Sequence, residues 1–121
     1  MAGKKDKVKD SDRFTIITPG FTGRCFICNS NDRVAKHEAF GGPNRDKSKQ
    51  YGLVYELCGP HHNLSNIGVH FDKDLDLKLK KHAEKIWIMA NTDDNIPYEE
   101  RINKFIEVFH KNYIEDIGEL F

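Results

Sequence analysis

Two short stretches decide the fold of this chain: CFIC at residues 25–28 and CGPH at residues 58–61. Each stretch places two metal-binding side chains with two residues between them, a spacing that lets one tight turn direct both side chains at a single ion. Together they supply three thiolates and one imidazole, a complete tetrahedral ligand set for zinc. We therefore predict a structural zinc site formed by Cys25, Cys28, Cys58 and His61.

The use of cysteine indicates the cellular compartment. The chain contains three cysteines, and the predicted zinc site uses all of them, so none remains for a disulfide. Two other interpretations are a pair of unrelated motifs and a redox Cys-x-x-Cys without metal, but a redox pair does not account for the CGPH stretch. Cysteines that stay reduced are typical of a reducing compartment, and we expect a cytoplasmic protein.

Length and charge distribution limit the classes of function that this chain can have. At 121 residues and 14.0 kDa, the chain fits one domain, whose apolar core is small without help from a metal or a partner. Residues 1–70 hold 11 Lys and Arg against 7 Asp and Glu, whereas residues 71–121 hold 8 against 12. The metal-binding half is the basic half, which suits a polyanionic partner. No apolar run approaches 18 residues, and no apolar core of the kind that a secretory signal requires follows the N-terminal lysines, so no membrane partner is expected.

The order of the predicted elements outlines the core. Residues 1–12 alternate in charge with almost nothing apolar to bury, and we predict a disordered tail. Two strands, residues 33–40 and 53–57, are predicted to pair as a hairpin with a long, basic connection. A short helix at residues 61–64 follows. The Cys-x-x-Cys turn at residues 25–28 (the first knuckle), the hairpin and the helix together predict an α+β fold. This fold is a small zinc-stabilised treble clef over residues 13–72.

The segments on either side of this core are also patterned. The sequence FTIIT at residues 14–18 favours an edge strand or a lead-in to the first knuckle. Two C-terminal helices are predicted, the first capped by Asp72 or Asp74 and the second starting at Pro97, with a loop at residues 91–95. Their apolar stripes are Leu75, Leu79, Ala83, Ile86 and Ala90, then Ile102, Phe105, Ile106, Phe109 and Tyr113. Residues 73–121 are therefore predicted to form a two-helix extension packed on the core.

Further motifs carry a resemblance to a known family. They are Cys25-x-x-Cys28, HEAFGG at 37–42, Asn44-Arg45, Ser48, YGL at 51–53, Leu57-Cys58, His61-His62 and GVH at 68–70. With these motifs, which lie within residues 24–90, the chain resembles the HNH endonucleases, whose ββα-metal site is built on a treble clef. It resembles more closely the small HNH proteins that are common in bacteriophages.

The resemblance implies a metal-dependent endonuclease of phage or prophage type that hydrolyses DNA phosphodiester bonds, by nicking or by double-strand cleavage. It implies that His37, His62 and His70 bind a catalytic divalent ion beside the structural Zn²⁺. Mg²⁺, Mn²⁺, Ni²⁺ and Zn²⁺ stay open for that ion, although imidazole suits Mg²⁺ poorly. DNA is the expected partner, and RNA stays open. Residues 117–121 are either a helix end or an exposed apolar hook, and a hook would favour a homodimer. A homodimer and a phage recombination or packaging partner therefore stay open too.

The functional residue pair of the family leaves two registers open here. If the pair is His37-Glu38, His37 binds the metal and Glu38 occupies the second position of the pair. If the pair is Lys36-His37, a lysine replaces a metal-binding acid and His37 is the general base. We favour the first register, since the two glycines at residues 41–42 then lie where the phage proteins place them.

Other residues have roles that the resemblance implies. The middle asparagine of the family corresponds to Leu53 here, and we expect Asn44 or Asn63 to replace it by tying the loop or by orienting His37. Arg45 is expected to bind phosphate, because a guanidinium contacts two phosphate oxygens at once. The other basic residues of that connection are Lys47 and Lys49.

A second class of function stays open, namely a non-catalytic zinc module that binds DNA or a protein partner. Glu38 and Leu53 favour it, because the family pattern weakens at both positions. The joint presence of His37, His62 and His70 disfavours it, since a structural zinc site needs only four ligands. Two further histidines are interpreted as polar surface residues: His82 and His110.

Overall fold

The computed structural model describes residues 14–64 and 67–114. The tail at residues 1–12 and the apolar end at residues 117–121, for which predictions were made, lie outside the described residues. The elements along the chain are β1 (Ala35–Glu38), a 3₁₀ turn (Gly42–Asn44), α1 (Arg45–Tyr51), β2 (Val54–Leu57), α2 (Gly59–His62), α3 (Lys73–Asn91) and α4 (Tyr98–Phe109). The described chain is a small mixed fold of helices and a two-stranded sheet.

The two strands pair in antiparallel register, with Ala35 opposite Leu57 and Glu38 opposite Val54. The predicted pairing is confirmed, but both strands are shorter than predicted. β1 starts only after Arg33, which adopts a φ of 49° that is outside the extended region. β2 starts only after Gly52, which has a φ of 73° and ends the preceding helix. Local turns therefore set the strand ends.

The connection between the strands contains a helix, α1, that periodicity does not predict. Ser48 on this helix is fully buried, and its hydroxyl donates to the Phe40 carbonyl at 2.8 Å and accepts the Phe40 N–H at 3.0 Å. The sequence predicted only a long, basic connection and did not identify a helix within it. This helix of two turns is stabilised by the bonds of one serine and has no apolar stripe, so hydrophobic periodicity does not indicate it.

Residues 14–18 form no strand, so the edge-strand alternative is wrong. They still follow the beginning of β2, because Thr15 Oγ1 donates to the Val54 carbonyl at 2.7 Å and the Ile16 N–H donates to the Gly52 carbonyl at 2.9 Å. The segment is therefore a lead-in that lies against the sheet without joining its ladder.

The two long helices lie close to their predicted positions. Asp72 caps α3, since its carboxylate accepts the N–H groups of Asp74 and Leu75 at 3.0 and 3.2 Å. Ala90 was predicted on the buried face but is exposed, because the buried face of α3 ends at Trp87 and Ile88. Among the described helices, none combines the length and the apolar character that crossing a bilayer requires.

One cluster of buried residues joins the helices to the rest of the chain. It includes Cys25 and Cys58 as well as aromatic side chains of α3 and α4. The Phe105 ring lies 4.7 Å from that of Phe109 and 5.6 Å from that of Trp87. Both long helices therefore belong to the same core as the predicted zinc ligands.

Phe105→Ala should destabilise the whole chain by about 3–5 kcal/mol, because it removes a fully buried ring from this shared core. The change is measured by denaturant unfolding, followed by fluorescence of the single tryptophan and by circular dichroism. Lys104→Ala, at the exposed neighbouring position, is the control and should stay within about 0.5 kcal/mol. Loss of helical signal alone, with the remaining transition unmoved, would contradict a shared core.

Candidate metal centres

Cys25, Cys28, Cys58 and His61 form the first cluster, whose ligand atoms all lie within 4.8 Å of one another. The sulfurs of Cys28 and Cys58 are 3.7 Å apart, and His61 Nδ1 lies 3.3 Å from Cys58 Sγ and 3.7 Å from Cys25 Sγ. A tetrahedral zinc ion with bonds of about 2.3 Å to sulfur and about 2.0 Å to nitrogen implies ligand separations of about 3.8 Å and about 3.5 Å. The cluster can therefore hold a metal ion such as zinc.

Two backbone turns direct these ligands. In the first, the Cys25 carbonyl accepts the Asn29 N–H at 2.8 Å, and Asn29 adopts a φ of 65° that asparagine tolerates. In the second, the Cys58 carbonyl accepts the His62 N–H at 2.9 Å. This bond closes the first turn of α2, which starts at Gly59 rather than at the predicted residue 61. Short hydrogen-bonded turns thus preorganise both ligand pairs.

The backbone also favours the thiolate form of a ligand. Burial raises the pKa of the Cys25 thiol, but hydrogen bonds from the backbone of Cys58, Cys28 and Ile27 outweigh burial and lower this pKa to about 6. The Ile27 N–H lies 3.4 Å from Cys25 Sγ. Because metals bind thiolates rather than thiols, these N–H groups prepare the sulfur for ligation.

Glu56 connects the first turn to the sheet. Its buried carboxylate accepts the N–H groups of Thr22 and Gly23 at 2.7 and 2.8 Å, and its backbone carbonyl accepts the Phe26 N–H at 2.7 Å. A single carboxylate in a strand has no motif that would identify this role in the sequence. Through Glu56, β2 supports the first ligand pair and leads directly into the second.

His37, His62 and His70 form the second cluster, whose ring nitrogens also lie within 4.8 Å of one another. The Nε2 atoms of His62 and His70 are 3.0 Å apart. The centroid of the His37 ring lies 5.4 Å from that of each other ring. A separation of about 3 Å suits two adjacent ligands on an ion that binds nitrogen at about 2.1 Å. The three histidines can thus share one divalent ion.

A close backbone approach brings His70 into this cluster. The Val69 N–H donates to the His61 carbonyl at 2.8 Å, and the His70 N–H donates to the His62 carbonyl at 3.2 Å. A Cβ atom on Gly68 would lie 2.7 Å from the His62 carbonyl oxygen. Glycine is therefore required for this segment to lie against α2.

The histidines of the second cluster are electrostatically suited to ligation. Nε2 of His37 is buried and has no hydrogen-bond partner within residues 14–64 and 67–114. Burial, followed by the charges of His62 and His70, lowers the pKa of His37 to about 4. Burial, followed by His70, also lowers the pKa of His62. Both imidazoles are neutral at pH 7 and keep a lone pair for a metal ion or a proton.

The three histidines open onto a pocket of about 400 Å³. Arg45 Nε lies 3.8 Å from Glu38 Oε1 within it, and the Arg45 side chain is 63% exposed whereas that of Glu38 is 10% exposed. The guanidinium therefore presents donors to solvent beside the cluster. Of the residues that the structure describes, Lys36, Asp76 and Lys80 are the other charged ones that line the pocket.

The pocket lining includes neither of the two candidate asparagines, Asn44 and Asn63, nor the two lysines near Arg45. Asn44 Nδ2 donates to the Phe109 carbonyl at 2.9 Å, Lys47 Nζ donates to the Val108 carbonyl, and Lys49 is buried. The carbonyls at a helix C-terminus lack partners within the helix. Asn44 and Lys47 thus fasten the beginning of α1 to the end of α4, and only Arg45 of the basic connection reaches the pocket.

The structure also adds two residues that the sequence does not identify. Asp76 and Lys80 on α3 line the pocket, and Asp76 Oδ2 lies 2.8 Å from Lys80 Nζ. Their i,i+4 spacing is that of an ordinary surface ion pair, so it carries no signal of a site. Neither His82, whose Nδ1 lies 2.8 Å from Tyr55 Oη, nor His110 belongs to the two clusters of the described residues.

Comparisons with protein-family models, with curated proteins and with solved structures find no match to this chain. The resemblance to the HNH endonucleases therefore stays a prediction from motifs. The functional proposal depends on the geometry of the two clusters.

Cys58→Ser should abolish the cooperative thermal transition of the zinc-loaded protein, because the binding energy of a structural ion is folding energy in a small domain. Differential scanning calorimetry, with metal content measured in parallel, checks this. Removing the metal from the wild type with a chelator should reproduce the effect. An unchanged transition after both treatments would show that the first cluster does not stabilise the fold through a metal.

Gly68→Ala should weaken binding of a second ion by on the order of tenfold or more, because the added Cβ displaces His70. Titration of zinc-loaded protein with Ni²⁺ in a calorimeter measures this affinity. The zinc content of the first cluster should stay at one ion per chain. Equal Ni²⁺ affinity in variant and wild type would show that His70 is not a ligand.

Proposed function

We propose that this protein is a metal-dependent, HNH-type endonuclease that hydrolyses DNA phosphodiester bonds. One observation carries the proposal: His37, His62 and His70 come from three segments and meet in a pocket beside a complete set of structural metal ligands. A structural zinc site uses only its own four ligands. A second cluster, of two half-buried imidazoles and the exposed His70, therefore calls for a separate, chemical role.

The order of the elements supports a treble-clef frame for this proposal. The turn with Cys25 and Cys28 precedes β1, and Cys58 and His61 lie where β2 passes into α2. The antiparallel strands between them place His37 across from α2, as the ring contact of His37 with His62 shows. The motifs shared with small phage proteins favour a role in processing phage DNA.

The second cluster fits a divalent ion. The donor set is three imidazoles, two of them with Nε2 atoms 3.0 Å apart, and His37 Nε2 is buried with no hydrogen-bond partner among the described residues. A divalent ion in this place supplies Lewis-acid stabilisation of the negative charge that develops on the phosphate. Imidazole ligands favour Mn²⁺, Ni²⁺ or Zn²⁺ over Mg²⁺.

Glu38 and Arg45 supply the other chemical functions. In the proposed assignment His37 is a ligand, and the Glu38 carboxylate, which lines the same pocket, accepts the proton of the attacking water. The exposed guanidinium of Arg45, 3.8 Å from Glu38 Oε1, binds two oxygens of the phosphate. Arg45 thereby holds the phosphate beside the base.

His37→Ala should reduce cleavage of supercoiled plasmid by about a hundredfold or more, because the variant loses a ligand or a base. The assay uses zinc-loaded protein with Mg²⁺, Mn²⁺ and Ni²⁺ in parallel. His110→Asn is the matched control, since it removes an exposed histidine and asparagine tolerates the φ of 68° at that position. The control should cleave like the wild type.

Two further outcomes decide between the alternatives. Glu38→Gln should lose cleavage but retain the second ion. His37→Ala should lose both cleavage and the second ion. If His37→Ala retained the ion, His37 would be the general base instead of a ligand. Intact plasmid with every ion, from zinc-loaded wild type, would contradict the proposal and favour a non-catalytic zinc module that binds DNA or a protein partner.

A further inference from the structure

A second groove adjoins the histidine pocket on the side of α3. It has a volume of about 480 Å³ and lies between one face of α3 and residues 111–113. The charged and aromatic side chains that line this α3 groove are Lys73, Asp76, Lys80, Lys81, Lys111 and Tyr113.

The α3 groove is positively charged. Among the described residues, four lysines and one carboxylate line it, although the whole chain has a formal net charge of +0. That carboxylate, on Asp76, pairs with Lys80 at 2.8 Å. A concave surface that is lined by one sign of charge raises the local concentration of ligands of the opposite sign. The groove therefore suits a polyanion.

The α3 groove shares two lining residues with the histidine pocket. Asp76 and Lys80 line both of them. A polyanionic strand with one phosphate at the histidines can therefore extend into the groove along the same surface. Arg45 and Lys36 add positive charge in the histidine pocket.

Contacts with the core hold the C-terminal wall of the groove in place. The Tyr113 N–H donates to Oε1 of the fully buried Glu84 at 2.8 Å, and the Tyr113 ring stacks on Phe40 with centroids 5.3 Å apart. The ammonium groups of Lys80 and Lys111 lie 5.8 and 5.2 Å from the Tyr113 ring. Tyr113 therefore helps to position Lys80 and Lys111 in the groove.

The helix spacing of the lysines matches a nucleic-acid strand. Lys80 and Lys81 follow Lys73 by seven and eight residues, about two helical turns, so the three lie toward one face of α3 and extend about 12 Å along its axis. One strand of duplex DNA carries a phosphate about every 3.4 Å of helix axis. The groove therefore extends past about three successive phosphates.

We propose that the α3 groove binds the sugar-phosphate backbone of DNA next to the bond that the histidine pocket cuts. The inference rests on the proposed function, because it places one strand across both sites. Phosphate contacts of this kind position the duplex without selecting a sequence.

The test compares two double variants that remove the same charge. Lys73→Gln with Lys111→Gln alters the groove, and Lys78→Gln with Lys104→Gln alters exposed lysines outside it. Fluorescence anisotropy measures binding of a labelled DNA duplex to the zinc-loaded full chain over a range of salt concentrations. The groove variant should lower the slope of log K against log salt by about two units, whereas the control variant should keep the wild-type slope.

The possible outcomes separate this inference from the proposed function. Equal salt-dependence slopes for the two variants, or no DNA binding by the wild type, would overturn the proposal that the groove binds DNA. Cleavage that depends on His37 together with equal slopes would overturn the groove and leave the nuclease intact. A reduced slope in the groove variant alone, without cleavage by the wild type, would support the groove and overturn the nuclease.

Discussion

The convergence of Cys25, Cys28, Cys58 and His61 on one point is the constraint on which the rest of the structure depends. It joins a turn before β1 to the helix after β2, so it closes the sheet into a unit. In a chain of 121 residues the apolar core is limited, and a metal bound by these groups contributes directly to folding. Glu56 reinforces the same closure, because its carboxylate and its carbonyl bond the first turn to β2.

The position of the second cluster follows from the first. His62 directly follows His61, so the helical turn that directs His61 at the sulfurs also sets where His62 lies. His37 reaches the same place through the register that pairs it with Tyr55, and His70 reaches it through the backbone contact at Gly68. Strand register, helix phase and a glycine contact thus assemble the three histidines.

Local chemistry explains which features the sequence predicts. Ligand pairs such as Cys25 and Cys28 are visible because their spacing is itself the signal, and α3 and α4 are visible because their apolar residues recur with the helical period. The helix α1 is not visible, since a tertiary bond of Ser48 stabilises it. The role of Asn44 could not be predicted either, because its amide caps α4 across 65 residues of sequence. The position of α3 beside the histidine pocket likewise depends on tertiary packing.

X-ray absorption of protein loaded with zinc and then with nickel tests the central claim most directly, because the two absorption edges report on the two clusters separately. The account predicts three sulfur neighbours at about 2.3 Å and one nitrogen at about 2.0 Å at the zinc edge. At the nickel edge it predicts nitrogen and oxygen neighbours only, with scattering from imidazole rings. Sulfur at the nickel edge, or failure of nickel to bind the zinc-loaded protein, would contradict two separate metal centres in one frame.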